Sequence, residues 1–399
     1  MGHLTCVVFK EIESGSVRER RSKRLLVGAP RAQTSQPGTN RSGAVYKCPM
    51  TTWLQDCKQI PIDEEKTAPE NTVLKDDQWL GVTVRSQGPG GYVLACAHRH
   101  VSMGPSYRWG RGICYSLTQY LDLERAWEPC ENRPVDKAHE QFGFCQAGTS
   151  GVISEACAHR HVSMGPSYRW GRGICYSLTQ YLDLERAWEP CENRPVDKAH
   201  EQFGFCQAGT SGVISEDSTI VLGSPGPYTW KGTIFTISAK RLLKDWVWNV
   251  SPFLEEDAPV EKYSYLGMSV TSGRFFHNQT TFVAGAPRSN GTGKVVFFDK
   301  DKASTKLHTA LILDGEQFAS SFGYSLTSLD LNSDGFIDLV VGAPFYHGKG
   351  EGGAVYIYMN SKTGISKATK PIKLVGKDES RFGFGLSSAG DLNKDGFAG

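Results

Sequence analysis

Short apolar runs, five or six residues long and rich in β-branched and aromatic side chains, recur along the chain between clusters of Gly, Pro, Asn and Asp. Leu25-Leu26-Val27-Gly28-Ala29-Pro30, Val221-Leu222-Gly223-Ser224-Pro225, Val283-Ala284-Gly285-Ala286-Pro287 and Val340-Val341-Gly342-Ala343-Pro344 are versions of one phrase. Runs of this kind predict strands. Gly turns the backbone without a Cβ clash and Pro cannot donate to a ladder, so each strand ends at the Gly-Ala-Pro step. A second apolar run follows, as at Lys294–Phe298 and Gly353–Tyr358.

About twenty residues ahead of such strands stands an aromatic residue followed by Gly. It recurs at Trp79-Leu80-Gly81, Phe142-Gly143, Phe203-Gly204, Tyr265-Leu266-Gly267, Phe322-Gly323 and Phe382-Gly383, with successive glycines 62, 61, 63, 56 and 60 residues apart. Several strands per sixty residues, repeated, predict propeller blades. The regular period argues against the competing reading, a two-sheet sandwich with fortuitous glycines.

A second repeat is exact. Residues 95–155 recur without a change at 156–216. Natural repeats diverge, so a perfect copy favours an error in assembling the gene over a duplicated exon. Its phase matches one blade, which predicts a whole extra blade in the folded chain.

Composition fits a globular chain: 39% hydrophobic and 22% charged, with 44 Gly, 9 Trp, 15 Tyr and 19 Phe. The net charge of +2 gives no field for nucleic acid or an acidic membrane. No apolar run reaches spanning length, and the charged first thirty residues do not read as a signal peptide.

Ten of the 11 cysteines are Cys48, Cys57, Cys96, Cys114, Cys130 and Cys145 with the copies Cys157, Cys175, Cys191 and Cys206; Cys6 is left over. No C-x₂-C occurs, so disulfides and an oxidising compartment are expected in place of zinc. The expected pairs are Cys48–Cys57, Cys96–Cys114 and Cys130–Cys145, although spacing alone does not fix connectivity. Asn40, Asn249, Asn278 and Asn290 each begin an N-x-[ST] glycosylation triplet, with Pro252 weakening the Asn249 site.

Asp330-Leu331-Asn332-Ser333-Asp334-Gly335-Phe336-Ile337-Asp338 carries the strongest local chemistry. Side-chain oxygens at positions 1, 3, 5 and 9, the Phe336 carbonyl at 7 and Gly at 6 suit Ca2+. It is not an EF-hand, because Val341 stands where a bidentate Glu is needed. The bland alternative is a metal-free Asx turn. A weaker half-site begins at Asp391, Asn393 and Asp395, with Gly399 where a fourth ligand belongs. His98, Arg99 and His100 form a basic cluster expected on a surface strand. No G-x-S-x-G elbow, P-loop or dinucleotide fingerprint is present.

The sixty-residue units are similar to FG-GAP repeats, and the chain from about Arg24 to Phe397 resembles the seven-bladed β-propeller head of integrin alpha subunits. Asp77–Gly91 and Tyr228–Gly232 resemble the laminin-binding branch. The resemblance implies an all-β FG-GAP propeller fragment over residues 24–399 behind an atypical segment, 1–23, in which charged sequence and Cys6 replace the family's first strand. It implies that the chain stops inside the sixth family blade, with export signal and anchor missing from this fragment.

It also implies an extracellular, cell-surface adhesion receptor that works without catalysis. The partners would be an integrin beta subunit and laminin or a related matrix protein. Calcium would stiffen the lower face. Trp79, Tyr228, Tyr265, Phe322 and Phe382 would form the aromatic cup that takes a basic side chain of the beta subunit. The alternatives are a secreted FG-GAP enzyme, such as a phospholipase whose catalytic domain lies elsewhere, and a non-functional gene-model fragment.

Overall fold

The structure is a computed structural model describing residues 6–10, 24–34, 39–49, 56–62, 73–86, 91–104, 107–128, 150–152, 155–158, 162–164, 169–171, 173–178, 184–192, 194–196, 202–238, 249–251, 258–276, 279–300, 307–388, 390–391 and 395–398. Among them the regular elements are strands, apart from a helical turn at Pro227–Trp230 and a 3-10 turn at Ser289–Gly291. The chain divides into two compact units: Met1–Glu189 with Ala389–Asp395, and Pro190–Ser388 with Gly396–Gly399. Each unit contains four-stranded antiparallel sheets of the propeller-blade kind, as the period predicts, and the first adds a three-stranded and a two-stranded sheet.

In the second unit three sheets follow one another in strict chain order. They are Ser211–Ile214, Thr219–Ser224, Thr233–Ser238 and Asn249–Val250; then Ser269–Gly273, Thr281–Ala286, Lys294–Lys300 and Leu307–Asp314; then Ser325–Leu329, Asp338–Gly348, Glu351–Tyr358 and Ile372–Lys377. The second strand of each carries the Gly-Ala-Pro phrase or its variant, and that strand is buried throughout its apolar part. Strands covered on both faces read as continuous apolar runs, which is why they stand out in the sequence. Phe275, Phe297, Phe322, Leu339, Val341 and Tyr356 fill the space between the second and third sheets.

In the first unit one sheet runs Cys6–Lys10, Arg24–Ala29, Ala44–Pro49 and Lys58–Gln59. The expectation that the first strand is replaced is corrected here. Cys6–Lys10 pairs antiparallel with Arg24–Ala29, and Cys6 stands opposite Gly28. The run Val7-Val8-Phe9 is a β-branched and aromatic stretch that the charged residues around it obscured. The next sheet runs Thr83–Ser86, Val93–Ala97, Ile113–Leu117 and Leu123–Trp127.

The exact copy folds as a blade of its own. Ser150–Val152, Glu155–Ala158, Ile174–Leu178 and Leu184–Trp188 form a four-stranded sheet in that order. The hairpin Val101–Gly104/Tyr107–Trp109 returns as Val162–Met164/Arg169–Gly171, with Ser102 opposite Trp109 and Ser163 opposite Trp170. Ser150–Val152 ends the first copy yet serves as first strand to the second. The same residues of the second copy, Ser211–Ile214, open the following sheet.

A repeated device ties each sheet to the motif turn that follows it. In the second unit the hydroxyls of Ser211, Ser269 and Ser325 donate to the carbonyls of Gly267, Gly323 and Gly383, at 2.9, 2.8 and 2.6 Å. Opposite those serines in register stand Gly223, Gly285 and Gly342. A Cβ on any of the three would overlap that same carbonyl oxygen. Gly28 meets the Gly81 carbonyl in the same way within the first unit. The accepting glycines have φ between 85° and 89°, a region that disfavours side chains.

The disulfides Cys48–Cys57 and Cys96–Cys114 form as expected, and Cys191–Cys206 is the copy of the expected Cys130–Cys145 pair. Cys157 stands opposite Cys175 in register, as Cys96 stands opposite Cys114. Cys130 and Cys145 themselves lie outside the described residues.

Candidate functional site

The motif turns are built on left-handed backbone. Trp79 and Tyr265 have φ of 65° and 60°, each two residues before its glycine, and Ser321 and Arg381 hold the equivalent place at 57° and 51°. The next residue is anchored beneath. Leu80, Leu266 and Phe382 pair with Gly43, Gly232 and Gly353 in isolated parallel bridges. The expected aromatic set therefore mixes two register positions. Trp79 and Tyr265 share one; Phe322 and Phe382 share the other, with Leu80 and Leu266.

Phe322 is a core residue, 1% exposed, edge-on to Tyr356 with centroids 5.3 Å apart. Its assignment to an open cup is corrected on that ground: the side chain below the turn points into the sheet interface. Phe382, in the same register, is 40% exposed. Tyr228 belongs to neither position. It lies on the Pro227–Trp230 turn, edge-on to Phe203 at 5.5 Å, and burial pushes its hydroxyl pKa up against the opposing charge of Arg194.

Phe203-Gly204 is likewise five residues out of register. The glycine that plays the motif's part is Gly209, with φ 85° and its N–H donated to Gly223 at 3.0 Å, as Gly267 donates to Gly285 at 3.0 Å. A G-x-[ST] triplet would have found it: Gly81-Val82-Thr83, Gly209-Thr210-Ser211, Gly267-Met268-Ser269 and Gly323-Tyr324-Ser325 share that spacing.

The Trp79 and Tyr265 rings already meet cations of this chain. Arg99 lies over Trp79, 5.3 Å from the ring centroid, and His98 meets its edge at 5.6 Å. Arg288 lies over Tyr265 at 5.2 Å, and Trp230 stacks on Tyr265 at 5.1 Å. The backbone fixes that stack: Tyr263 and Tyr265 donate to the carbonyls of Thr229 and Trp230. Tyr228, Thr229 and Trp230 form a left-handed run, φ 55°, 59° and 58°. Each such residue costs on the order of 1 kcal/mol, and strain of this kind gathers at functional positions.

His100 does not lie on the surface. It is 2% exposed, with Nδ1 3.0 Å from the Gln78 Oε1 and Nε2 3.7 Å from the Glu128 carboxylate. Arg99 also donates its backbone N–H to the Gln78 carbonyl at 3.1 Å. The cluster read as basic surface thus ties down the turn that presents Trp79.

The loop Asp330–Asp338 folds on its own carboxylates. Asp330 accepts the N–H of Asp334 at 3.2 Å and of Gly335 at 2.8 Å, and Asp334 accepts the N–H of Phe336 at 2.9 Å. Asn332 donates to Asp334 at 2.9 Å. Asp338 is fully buried and accepts Leu331 N–H at 2.9 Å and Asn360 N–H at 2.7 Å. Sequence reasoning missed Asn360, which lies 22 residues downstream and also ties Ile337 and Phe275 through its amide. Burial pushes the Asp338 carboxyl up. Its two N–H donors oppose the shift, Asp334 and Asp330 add to it, and the net direction is upward.

Among the described residues no three His, Cys, Asp or Glu side chains converge as a formed metal cage. The donors are hard oxygens, and the buried carboxylate beside two others is under-compensated, which suits a cation. At the second loop Asp395 donates its N–H to Asp391 at 3.2 Å, the same turn as Asp334 on Asp330; Asn393 lies outside the described residues.

Comparison with known proteins follows the same lines. The FG-GAP repeat family model matches residues 322–358, from the buried motif aromatic through the loop to the third strand of that sheet. Curated relatives match 94% of this chain: integrin alpha-7 of Rattus norvegicus at 38% identity, integrin alpha-6 of Gallus gallus at 36% and integrin alpha-3 of Cricetulus griseus at 34%. The chain spans 29%, 31% and 30% of their respective lengths.

Proposed function

We propose that this chain, an FG-GAP propeller homologous to integrin alpha subunits, is the matrix-recognising head of an adhesion receptor of the laminin-binding type. The observation that carries this reading is similarity to integrin alpha-7, alpha-6 and alpha-3 over 94% of the chain, together with one docking device repeated between its blades. It works by recognition without catalysis, at the cell surface on the extracellular side, as the alpha half of an alpha–beta heterodimer.

Trp79 in the first unit and Tyr265 in the second, which hold the same left-handed turn position, each offer an aromatic face to a basic side chain of the beta subunit. An entering cation must displace Arg99 or Arg288, exchanging one cation–π partner for another, or use the opposite ring face. When bound, Ca2+ would neutralise the carboxylates of the Asp330–Asp338 loop and stiffen it. Asp330, Asn332, Asp334 and Asp338, with the Phe336 carbonyl, would hold the ion.

The test is co-expression of the 399-residue chain with an integrin beta-subunit ectodomain, followed by co-precipitation and solid-phase laminin binding. Recovery of a complex that Trp79→Ala and Tyr265→Ala weaken about tenfold supports the reading, since a desolvated cation–π pair contributes some 1–2 kcal/mol. Absence of any complex with the beta ectodomain, under conditions where the chain is folded, overturns it.

A further inference from the structure

The 3-10 turn Ser289–Gly291 presents Asn290, the first residue of the triplet Asn290-Gly291-Thr292, and Phe318, the most exposed large apolar side chain among the described residues, packs against it. Phe318 is 74% exposed, yet its ring lies on the backbone of Gly291, where a Cβ would come within 2.5 Å of a ring carbon. The amide of Ala319, next to Phe318, donates to the Gly291 carbonyl at 2.7 Å, so ring and turn are one rigid pair. Asn290 is exposed in the left-handed region at φ 51°, a conformation Asn tolerates better than most residues. Its backbone is held from below. The Glu261 carboxylate accepts the N–H of Asn290 and, at 2.9 Å, the hydroxyl of Ser289.

We propose that Asn290 carries an N-linked glycan whose first N-acetylhexosamine lies on the Phe318 ring. A phenyl left in water forfeits most of the gain that burial of an aromatic side chain brings. The apolar C–H face of a pyranose covers such a ring, and the Gly at the middle of the triplet is what lets the ring approach the acceptor. In the transfer, Nδ2 of Asn290 bonds to the anomeric carbon of a polyprenyl-diphosphate-linked oligosaccharide. The bond from that carbon to the diphosphate oxygen breaks, lipid diphosphate leaves, and the amide proton passes to a base of the transferase.

The inference rests on the extracellular reading above. The whole chain is expressed behind a cleavable leader in mammalian secretory cells, and glycopeptides covering Asn40, Asn249, Asn278 and Asn290 are read by mass spectrometry. Thermal unfolding is then compared for wild type, Asn290→Gln, Phe318→Ala and the double variant. The expected result is occupancy at Asn290, a Tm lowered by about 2–4 °C in Asn290→Gln, and no further lowering by Asn290→Gln once Phe318 is Ala. Glycan at other triplets with Asn290 bare overturns this inference and leaves the extracellular reading standing. Glycan at none of the four overturns both. An equal Asn290→Gln effect with and without Phe318 overturns the ring contact.

Discussion

Ser269 donates its hydroxyl to the carbonyl of Gly323, 2.8 Å away and 54 residues on, across the junction between two sheets. The bond is local in space because Gly285, opposite Ser269, has no side chain: the Gly323 carbonyl occupies the volume a methyl would need. One residue type at one strand position thus sets how closely successive sheets approach.

Gly285→Ala is therefore expected to destabilise the second unit by about 1–3 kcal/mol or more, the range for overpacking against backbone that cannot yield. Gly350→Ala is the control, since nothing lies near its Cβ position and only its φ of 76° resists; about 1 kcal/mol is expected there. Urea unfolding of the two variants measures the difference. Equal losses would remove the packing argument and leave backbone strain alone.

The strand positions were legible in the sequence because the second strand of each sheet is covered on both faces and so reads as an unbroken apolar run. Register was not. Phe203-Gly204 and Phe322-Gly323 look alike as letters, yet Gly209 is the glycine on the junction and Phe322 is the residue beneath the turn. The difference lies in which residue takes the left-handed conformation, and that goes with a bridge to the preceding sheet at Gly43, Gly232 and Gly353, 37, 34 and 29 residues upstream. His100 was misread for a related reason: its Gln78 partner is distant in sequence, so the local letters His-Arg-His gave only their charge.

Cys96 and Cys114 face each other on adjacent strands inside the first unit, both fully buried with Leu94. Replacing both by Ala opens a loop of 18 residues and is expected to cost about 3 kcal/mol. Thermal unfolding of the double variant with and without reductant tests this. A reductant-induced drop in Tm that is smaller in the variant than in wild type is the expected pattern, since Cys48–Cys57 and Cys191–Cys206 remain in both. An insensitive wild type would contradict it.

Calcium is expected to raise the thermal stability of the second unit through Asp330, Asn332 and Asp334. Asp334→Ala should abolish the calcium-dependent part, leaving Tm in chelator nearly unchanged because Asp334 is exposed and bonds only within its own turn. Differential scanning calorimetry with Ca2+ and with chelator separates the two. A calcium response that survives in Asp334→Ala would show that the ion binds elsewhere.

Glu316 bonds the Lys373 ammonium at 2.7 Å and the Tyr356 hydroxyl at 2.9 Å. The Lys373 bond, ahead of burial that works the other way, holds the Glu316 carboxyl below its ordinary range, and the same bond raises Lys373. A depressed carboxyl stabilises the fold above its unfolded pKa and loses that contribution as pH falls through its folded value. Glu316→Gln should thus be less stable than wild type at pH 7, by a small margin because the pair is largely solvent-screened. The gap should close between about pH 5 and pH 3. Parallel pH series of Tm for both proteins check the sign. A gap that widens on acidification would reverse it.

The copied block changes one strand position. In the sheet beginning at Thr83, Leu94 stands opposite Ser116 and is almost fully buried. In the copied sheet the residue opposite the corresponding Ser177 is Glu155, because the first copy ends one residue before Ala156 takes up the strand. The copied sheet thus sets an acidic residue at the register position where the sheet before it has a leucine. Deleting residues 156–216 removes that position. It also joins Glu155 to Asp217, so that Ser150–Glu155 precedes Asp217-Ser218-Thr219 as Ser211–Glu216 does now, and Ser150–Val152 inherits the pairing with the strand Thr219–Ser224. The shortened chain should fold with the remaining sheets intact and resist proteolysis longer than the parent, cleavage of the parent concentrating within the copied sheet. Limited proteolysis with peptide mapping decides the matter. A shortened chain that is cleaved faster, or a parent cut first outside residues 150–188, would mean that the extra blade contributes stability instead of costing it.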